Sequence, residues 1–294
     1  MGKGSRKART ARRAETKRRK VRDVFVGRPF EGLAAEPELI ALREFVPSAT
    51  ATLTLADSGG KDVTLATVLP GAAAAMVRDD GERLIGLQVQ TRSSDISRDI
   101  GRSLRWVLDA EPGAVLAAPD TTSEPGENER LQDMLVADAE LEPRLHEDFS
   151  WWMDADAEPT GEVALSLERA NAAIQPSERI GPAAYWVHAG EKAHLRWVRQ
   201  EDENDVLKAL ARLSVRDELA LGDDSRYAGS FRAHGLLVPV WDLDPDAHAR
   251  EWIEPAKQLG ERLVDALASL KDQPLDAAER RARDGLIGRQ FTLR

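Results

Sequence analysis

The sequence predicts an α+β fold of two related units, each an antiparallel sheet with helices, preceded by a disordered basic arm. The first observation is that strand-like alternation and helix-like periodicity occupy separate stretches of the chain. The second is an internal similarity between residues 71–90 and 181–199. The third is a dense basic run at the start of the chain, which contains no large apolar residue before Val21.

The internal similarity keeps a constant order along the chain. With one residue deleted in the turn, Gly71, Ala73, Ala74, Val77, Gly81, Glu82 and Val89 match Gly181, Ala183, Ala184, Val187, Gly190, Glu191 and Val198. Downstream, residues 94–108 match 204–219. Upstream, Pro47, Leu53 and Leu55 match Pro159, Leu165 and Leu167. We interpret this similarity as an ancient duplication, with the two units packed about a pseudo-two-fold axis.

The first unit begins with a short helix at residues 36–45 and continues with an alternating strand at 50–57. A hairpin turn at 79–81 contains Asp-Asp-Gly, which is typical of turns between strands. An amphipathic helix follows, with Ser94 or Asp95 as its N-cap. Its apolar positions recur at helical spacing: Ile96, Ile100, Leu104, Val107 and Leu108.

The second unit shows the same succession of elements. A short helix is predicted at residues 140–149 and an alternating strand at 162–169. A hairpin then turns on Gly190, and an amphipathic helix closes the repeated part. Residues 235–270 add an apolar strand followed by a long helix, which the first unit lacks in this form.

Turn and capping residues suggest where the chain divides. A short strand at 24–26 opens the folded body, and Pro274 interrupts it near the other end. Residues 276–279 form a capping box, which predicts a final helix ending at Gly285 or Gly288. We therefore divide the chain into a tail, two units and a C-terminal helix, at residues 1–22, 23–138, 139–273 and 274–294.

Charge is divided unevenly along the chain. Residues 1–22 hold eleven Lys and Arg and one acid, which leaves 30 basic and 50 acidic residues for the rest. An arm of charge +10 therefore precedes a body of charge −20. The arm residues predicted to contact a polyanion are Lys7, Arg9, Arg12, Arg13, Lys17, Arg18, Arg19, Lys20 and Arg22.

Three partners for the arm stay open. It could bind RNA or the ribosome through phosphate contacts, since it lacks the interleaved aromatic residues that stack on bases. It could lie on anionic lipid, although it has no apolar face that would insert. It could also fold back over the acidic body of its own chain.

Composition excludes several classes of site. The absence of cysteine rules out disulfides, thiolate zinc sites and cysteine nucleophiles, and it favours a reducing, cytoplasmic location. No apolar run is long enough to span a bilayer, so no membrane partner is expected.

No His-x-x-x-His pair occurs, and His188 and His194 would meet only if both faced one side of the sheet. We predict no cofactor and no metal site.

Two motifs resemble functional sequences but lack essential residues. Residues 56–60, Ala-Asp-Ser-Gly-Gly, resemble the nucleophile segment of chymotrypsin-like proteases, but Lys61 follows where that family has Pro. We interpret them as a hairpin turn. Residues 242–246 have the opening spacing of a calcium loop without its later glycine and glutamate. Asp244 is instead predicted to cap a helix. No catalytic constellation is complete.

Tryptophan is concentrated in the second unit. Seven tryptophans occur in a chain with few aromatic residues. Either they fill the core, the commoner outcome for this residue, or they line an aromatic groove that binds a peptide, ligand or base. The residues of such a pocket would be Tyr185, Trp186, Trp197, Trp241 and Trp252.

At residues 28–33 (RPFEGL), 41–51 (ALREFVPSATA), 238–247 (VPVWDLDPDA) and 279–294 (ERRARDGLIGRQFTLR), the chain resembles a family of uncharacterised actinobacterial proteins. The resemblance covers nearly everything from Phe25 onward. It implies a cytoplasmic protein with a basic N-terminal tail. Because the family has no assigned activity, the resemblance implies no catalytic residues.

Three functions therefore stay open. The first is an accessory binding protein whose body recognises a protein partner and whose arm tethers it to RNA or the ribosome. The second is a protein-interaction or chaperone-like module in which the arm is incidental. The third is an enzyme of unrecognised type in the second unit, with a site near Trp186, Trp197, His188, His194 and Asp242.

Overall fold

A computed structural model describes residues 24–153 and 160–290 of the chain. The described residues form six α-helices and two β-sheets, which confirms the predicted α+β class. The basic arm falls outside these ranges, so its disorder stays a prediction.

The first half of the chain builds a six-stranded sheet. Its strands are β1 (Ala49–Thr52), β2 (Thr64–Val68), β3 (Ala75–Val77), β4 (Arg83–Gln88), β5 (Val115–Leu116) and β6 (Arg144–Leu145). Across the sheet they run β5-β3-β4-β2-β1-β6. β2 and β4 pair in parallel and the other pairs are antiparallel. The first sheet is therefore mixed. Strand β4 lies between β2 and β3, parallel to β2 and antiparallel to β3.

Two helices belong to this half: α1 (Glu36–Glu44) and α2 (Ile96–Asp109). Both agree with the predicted segments. Asp95 is the N-cap of α2, since its side chain accepts the Arg98 backbone N–H at 3.3 Å. The predicted apolar stripe of α2 is buried at Ile100, Leu104 and Val107.

The second half builds an antiparallel five-stranded sheet. Its strands are β7 (Ser177–Gly181), β8 (Ala184–Ala189), β9 (Lys192–Trp197), β10 (Ser225–Ala233) and β11 (Leu236–Leu243), in the order β10-β11-β9-β8-β7. The helices of this half are α3 (Gly161–Ala172), α4 (Glu203–Val215), α5 (Ile253–Ser269) and α6 (Ala277–Ile287). The predicted capping box begins α6: Asp276 accepts the Glu279 N–H at 2.8 Å and Glu279 accepts the Asp276 N–H at 3.0 Å.

Two large apolar cores hold these layers together, beside a small third cluster of Ala66, Leu69, Ala73 and Leu84 in the first half. The first contains α1, α2 and one face of the first sheet, and it also receives Tyr185, Val187 and Phe231 from the second sheet. The other face of the second sheet forms the second core with α4 and α5. The two sheets therefore share a core and do not bury their apolar faces separately.

Two predicted elements of the second unit are wrong. Residues 140–149 do not form a helix, because Pro143 disfavours the helical backbone conformation at Glu142, the residue before it. They contain β6, whose Leu145 is opposite Ala49 of β1. Residues 162–169 belong to helix α3 and not to a strand. The period-2 alternation there is short, and the Ala, Leu, Glu and Arg content favours a helix.

Two smaller predictions also fail. Residues 24–26 form no strand, and Phe25 is 79% exposed. Asp244 caps a turn by accepting the Asp246 N–H at 2.9 Å, whereas His248 caps the short 3-10 helix that leads into α5. Proline after aspartate thus begins a turn here, and the helix starts several residues later.

The proposed duplication is matched in element order but not in register. A hairpin followed by a helix occurs in both halves, as β3-β4-α2 and β8-β9-α4. In the internal alignment, Ala75 corresponds to Tyr185 and Ile85 corresponds to His194. In the first sheet, Ala75 lies opposite Ile85. Tyr185, however, lies opposite Arg196. The two hairpins are therefore paired differently, and the duplication stays a prediction.

Candidate binding groove

The predicted aromatic pocket is divided by the second sheet. Alternation along β8 turns Tyr185 into the first core and Trp186 into the second. Trp241 is fully buried and donates its indole N–H to the Leu219 carbonyl at 2.8 Å. Trp252 packs in the same core. The predicted arm contacts, between residues 7 and 22, lie outside the described residues.

Trp197 stands at the border of the second core, where three contacts hold its ring. Its indole N–H donates to the Pro182 carbonyl at 3.1 Å. The Arg199 guanidinium carbon lies 4.9 Å from the ring centre, a cation–π contact. Gly260 of α5 faces the ring, and a Cβ at this position would lie 3.0 Å from a ring carbon. Glycine there allows the helix to approach Trp197 closely.

An apolar groove of about 540 Å³ lies between α5 and the strands β7 and β8, with Trp197 in its wall. The other apolar residues that line it are Ile180, Pro182, Ala184, Ile253, Ala256 and Val264. Ile253 and Val264 are 43% and 58% exposed, although aliphatic side chains of this size are usually buried. Helix α5 thus has a second apolar stripe beside the one it buries in the core.

The rim of the apolar groove carries charged residues of α5. Lys257 lies within 4.0 Å of Glu254, a weak exposed ion pair. Glu261 and Asp265 also line the groove. The rim is therefore more acidic than basic.

A polar groove, also of about 540 Å³, lies on the other side of Trp197. Glu140, Glu142 and Glu201 line it. Of the two arginines facing it, Arg179 contacts Glu142 at 2.7 Å and Arg199 pairs with Glu201. Both cations are therefore already engaged, while the side chains of Glu140 and Glu142 stay exposed, that of Glu142 at 70% even though it pairs with Arg179.

Glu38 of α1 holds the wall of the polar groove in place. Its buried carboxylate accepts hydrogen bonds from the Ala183 N–H at 2.8 Å, the Tyr185 hydroxyl at 2.5 Å and the Arg179 Nε at 2.9 Å. Burial raises the pKa of Tyr185, and the nearby Glu38 charge raises it further. Burial opposes the charge of Arg179, but Glu38 raises the pKa of that guanidinium overall. The network joins the two halves of the molecule.

The residues considered for an enzyme site do not converge. Pairing of β8 with β9 turns His188 and His194 to opposite faces of the sheet. Asp242 Oδ1 lies 3.2 Å from His194 Nδ1, and its other oxygen accepts from Arg226 at 2.9 Å. Burial lowers the pKa of His194 despite the Asp242 charge. Within the described ranges, no three His, Cys, Asp or Glu side chains are grouped to hold a metal ion.

Sequence reasoning missed Glu38 and Arg179. One local signal was available for the glutamate, because position 38 lies one turn before Leu42 on the apolar face of α1. No local pattern connects it with Arg179, which is 141 positions away.

No described helix has the length and apolar character needed to cross a membrane. No curated protein and no solved structure matches this chain. One family model does match, and its description is "Family of unknown function (DUF5926)". The match covers residues 29–294, which include both sheets, all the described helices and both grooves. The chain therefore belongs to the DUF5926 family of unknown function.

Proposed function

We propose that the body of this protein is a binding module that holds a segment of a partner polypeptide in the two grooves that meet at Trp197. The observation that carries this proposal is the apolar groove, in which Ile253 and Val264 remain exposed. Concave apolar surfaces rimmed by polar residues are typical of sites that bind other molecules.

Charge complementarity indicates the chemistry of the partner. Glu261 and Asp265 rim the apolar groove, and Glu140 and Glu142 extend from the polar groove. A segment with apolar side chains on one face and Lys or Arg beside them would satisfy both grooves. The extent of the family match supports a function in the body, because it covers every groove residue and omits residues 1–22.

A library of amphipathic peptides of varied charge, displayed on phage and selected against the full chain, tests this function. We expect the selected peptides to combine apolar residues with Lys or Arg. Val264→Arg should weaken their binding about tenfold or more, because it fills the groove and repels the basic side chains.

Val215→Arg is the matched control, since Val215 is also an exposed valine but lies at the end of α4, away from both grooves. The selected peptides should bind Val215→Arg as tightly as they bind the unchanged chain. Selected peptides without a basic residue, or equal binding by the two variants, would contradict the proposal.

The division of charge favours a second candidate function, in which the arm tethers the protein to RNA or to the ribosome. The arm of +10 would contact phosphates, while the body of −20 would be repelled by them. The protein would then bring its polypeptide partner to an RNA-rich assembly, in agreement with a cytoplasmic location.

Sedimentation with ribosomes across a salt series tests the tether. With six to eight phosphates engaged, RNA affinity should fall by about three orders of magnitude between about 50 and 200 mM salt. A chain lacking residues 1–22 should stay in the supernatant. Co-sedimentation of that chain as strongly as the full chain would remove this role and leave the groove proposal untouched.

A further inference from the structure

A further cavity lies where helices α4, α5 and α6 meet, and of its lining residues only Glu201 also lines the polar groove. Its volume is about 680 Å³, within the range of small-molecule sites. Four of its lining residues are cationic: Lys208, Lys271, Arg280 and Arg283. We call this cavity the cationic pocket.

The charge of the cationic pocket opposes that of its surroundings. The body as a whole has 50 acidic and 30 basic residues, yet four bases and only two acids line this cavity. Both acids already have partners, since Glu201 pairs with Arg199 outside the cavity and Asp205 contacts Lys208 at 2.8 Å. The remaining field is positive, and a concave wall concentrates it.

Two of the cations can engage a ligand, because neither is held by a buried partner. Lys271 is exposed on the loop after α5, and it makes no ion pair or side-chain hydrogen bond within the described part of the chain. Arg283 contacts only Asp284, its exposed neighbour in the chain. Arg280 donates to the Leu275 carbonyl through one nitrogen, which holds its guanidinium at the cavity wall.

A buried ion pair holds the helices around the cationic pocket. Arg212 of α4 donates to Glu279 of α6 through Nε at 2.8 Å and through a second nitrogen at 3.2 Å. It also donates to the Ser269 hydroxyl at 2.5 Å and to the Gln273 carbonyl at 2.7 Å. The helices around the cavity are therefore held at a buried junction, and the bond from Arg212 to Gln273 also anchors the loop that carries Lys271.

The cavity also has an apolar side. Leu267, Leu270, Pro274 and Leu275 line it together with the cations. A purely inorganic anion would leave this surface unused, whereas a ligand with a flat apolar part would pack against it.

We propose that the cationic pocket binds a small molecule with two or more phosphate groups and a planar apolar part, as in a nucleoside di- or triphosphate. Lys271, Arg280 and Arg283 contact the phosphates through charge-assisted hydrogen bonds. The leucines and Pro274 pack against the base.

Isothermal titration of the full chain with ATP as the probe, at about 50 mM NaCl, tests this site. Lys271→Glu and Arg283→Glu should each raise the Kd about tenfold or more. Arg281→Glu is the matched control, because Arg281 is an exposed neighbour on α6 that does not line the cavity. Its Kd should stay within about twofold of the unchanged chain. Pyrophosphate should displace ATP, and adenosine should bind more weakly.

The control also separates the cationic pocket from the basic arm, which would attract any polyphosphate. If the arm held the ATP, Lys271→Glu and Arg283→Glu would bind it as well as Arg281→Glu does, and the proposal would be wrong. It would also be wrong if neither ATP nor pyrophosphate bound at millimolar concentration. Unchanged thermal unfolding of the two variants shows that lost binding is not lost folding.

Discussion

Buried charged side chains connect distant parts of this molecule. The Glu38 carboxylate joins α1 to the second sheet, and Arg212 joins α4 to α6. A buried charge is costly unless it is paired and hydrogen-bonded, and each of these groups has several partners. Removing one partner is therefore more damaging than replacing the whole network.

Replacement of Arg212 should strongly destabilise the folded protein. Arg212→Ala should lower the free energy of unfolding by about 3–5 kcal/mol, since it leaves Glu279 buried and unpaired. Urea denaturation measures this change. Arg216→Ala, an exposed arginine one turn further on, should change it by less than about 0.5 kcal/mol. Equal effects of the two substitutions would contradict the role given to Arg212.

The same pair predicts a dependence of stability on pH. The hydrogen bond from Arg212 lowers the pKa of Glu279 below its ordinary value of 4.5. A carboxylate with a lowered folded pKa contributes its full stability above the unfolded pKa and loses it as the pH falls through the folded pKa. The unchanged chain should therefore lose its stability advantage over Glu279→Gln as the pH falls from 4.5 through the lowered pKa of Glu279. A constant difference in urea denaturation across this range would contradict the assignment.

At the scale of elements, α3 and α4 differ in how they are stabilised. α4 buries seven of its residues, including Val206, Leu210 and Leu213. None of the described side chains of α3 is buried, and Leu165 is 52% exposed. A helix of this length is marginal in water without packing, so α3 should open readily.

Amide hydrogen exchange measures that difference. Protection in α3 (Gly161–Ala172) should be lower than in α4 (Glu203–Val215) by about three orders of magnitude. Equal protection in both helices would mean that α3 packs against a second copy or a ligand in solution.

At the scale of the whole molecule, the first core contains residues of both halves and should make the unfolding of the two halves cooperative. Residues of the second sheet, among them Tyr185 and Phe231, pack against Phe45 of the first half. A division at residues 138 and 139 would expose these side chains on both parts. We therefore expect one cooperative unfolding transition for the full chain.

A chain reduced to residues 24–138 tests this expectation. It should lack the dispersed amide signals of a folded protein in NMR spectra, because its part of the first core would face water. A well-dispersed spectrum would instead support two independent units at the predicted boundary.

Much of the fold was predictable where neighbouring residues decide the structure. The caps at Asp95 and Asp276 and the helices α1, α2 and α5 follow from short patterns. The failure at residues 162–169 arose where periodicity over a few residues fitted both states, and the failure at residues 140–149 overlooked Pro143. Of the candidate site, the aromatic pattern indicated Trp197 but neither its position between two grooves nor its contact with Gly260.

The sequence by itself determined the α+β class, the charged arm and the N-caps at Asp95 and Asp276, because these depend on composition and on contacts within a few positions. Only the tertiary structure decided that Tyr185 faces Glu38, 147 positions away, and that Trp197 borders two grooves. Such features depend on strand register, since a slip of one residue would turn each side chain to the opposite face of its sheet. Local patterns do not encode that register.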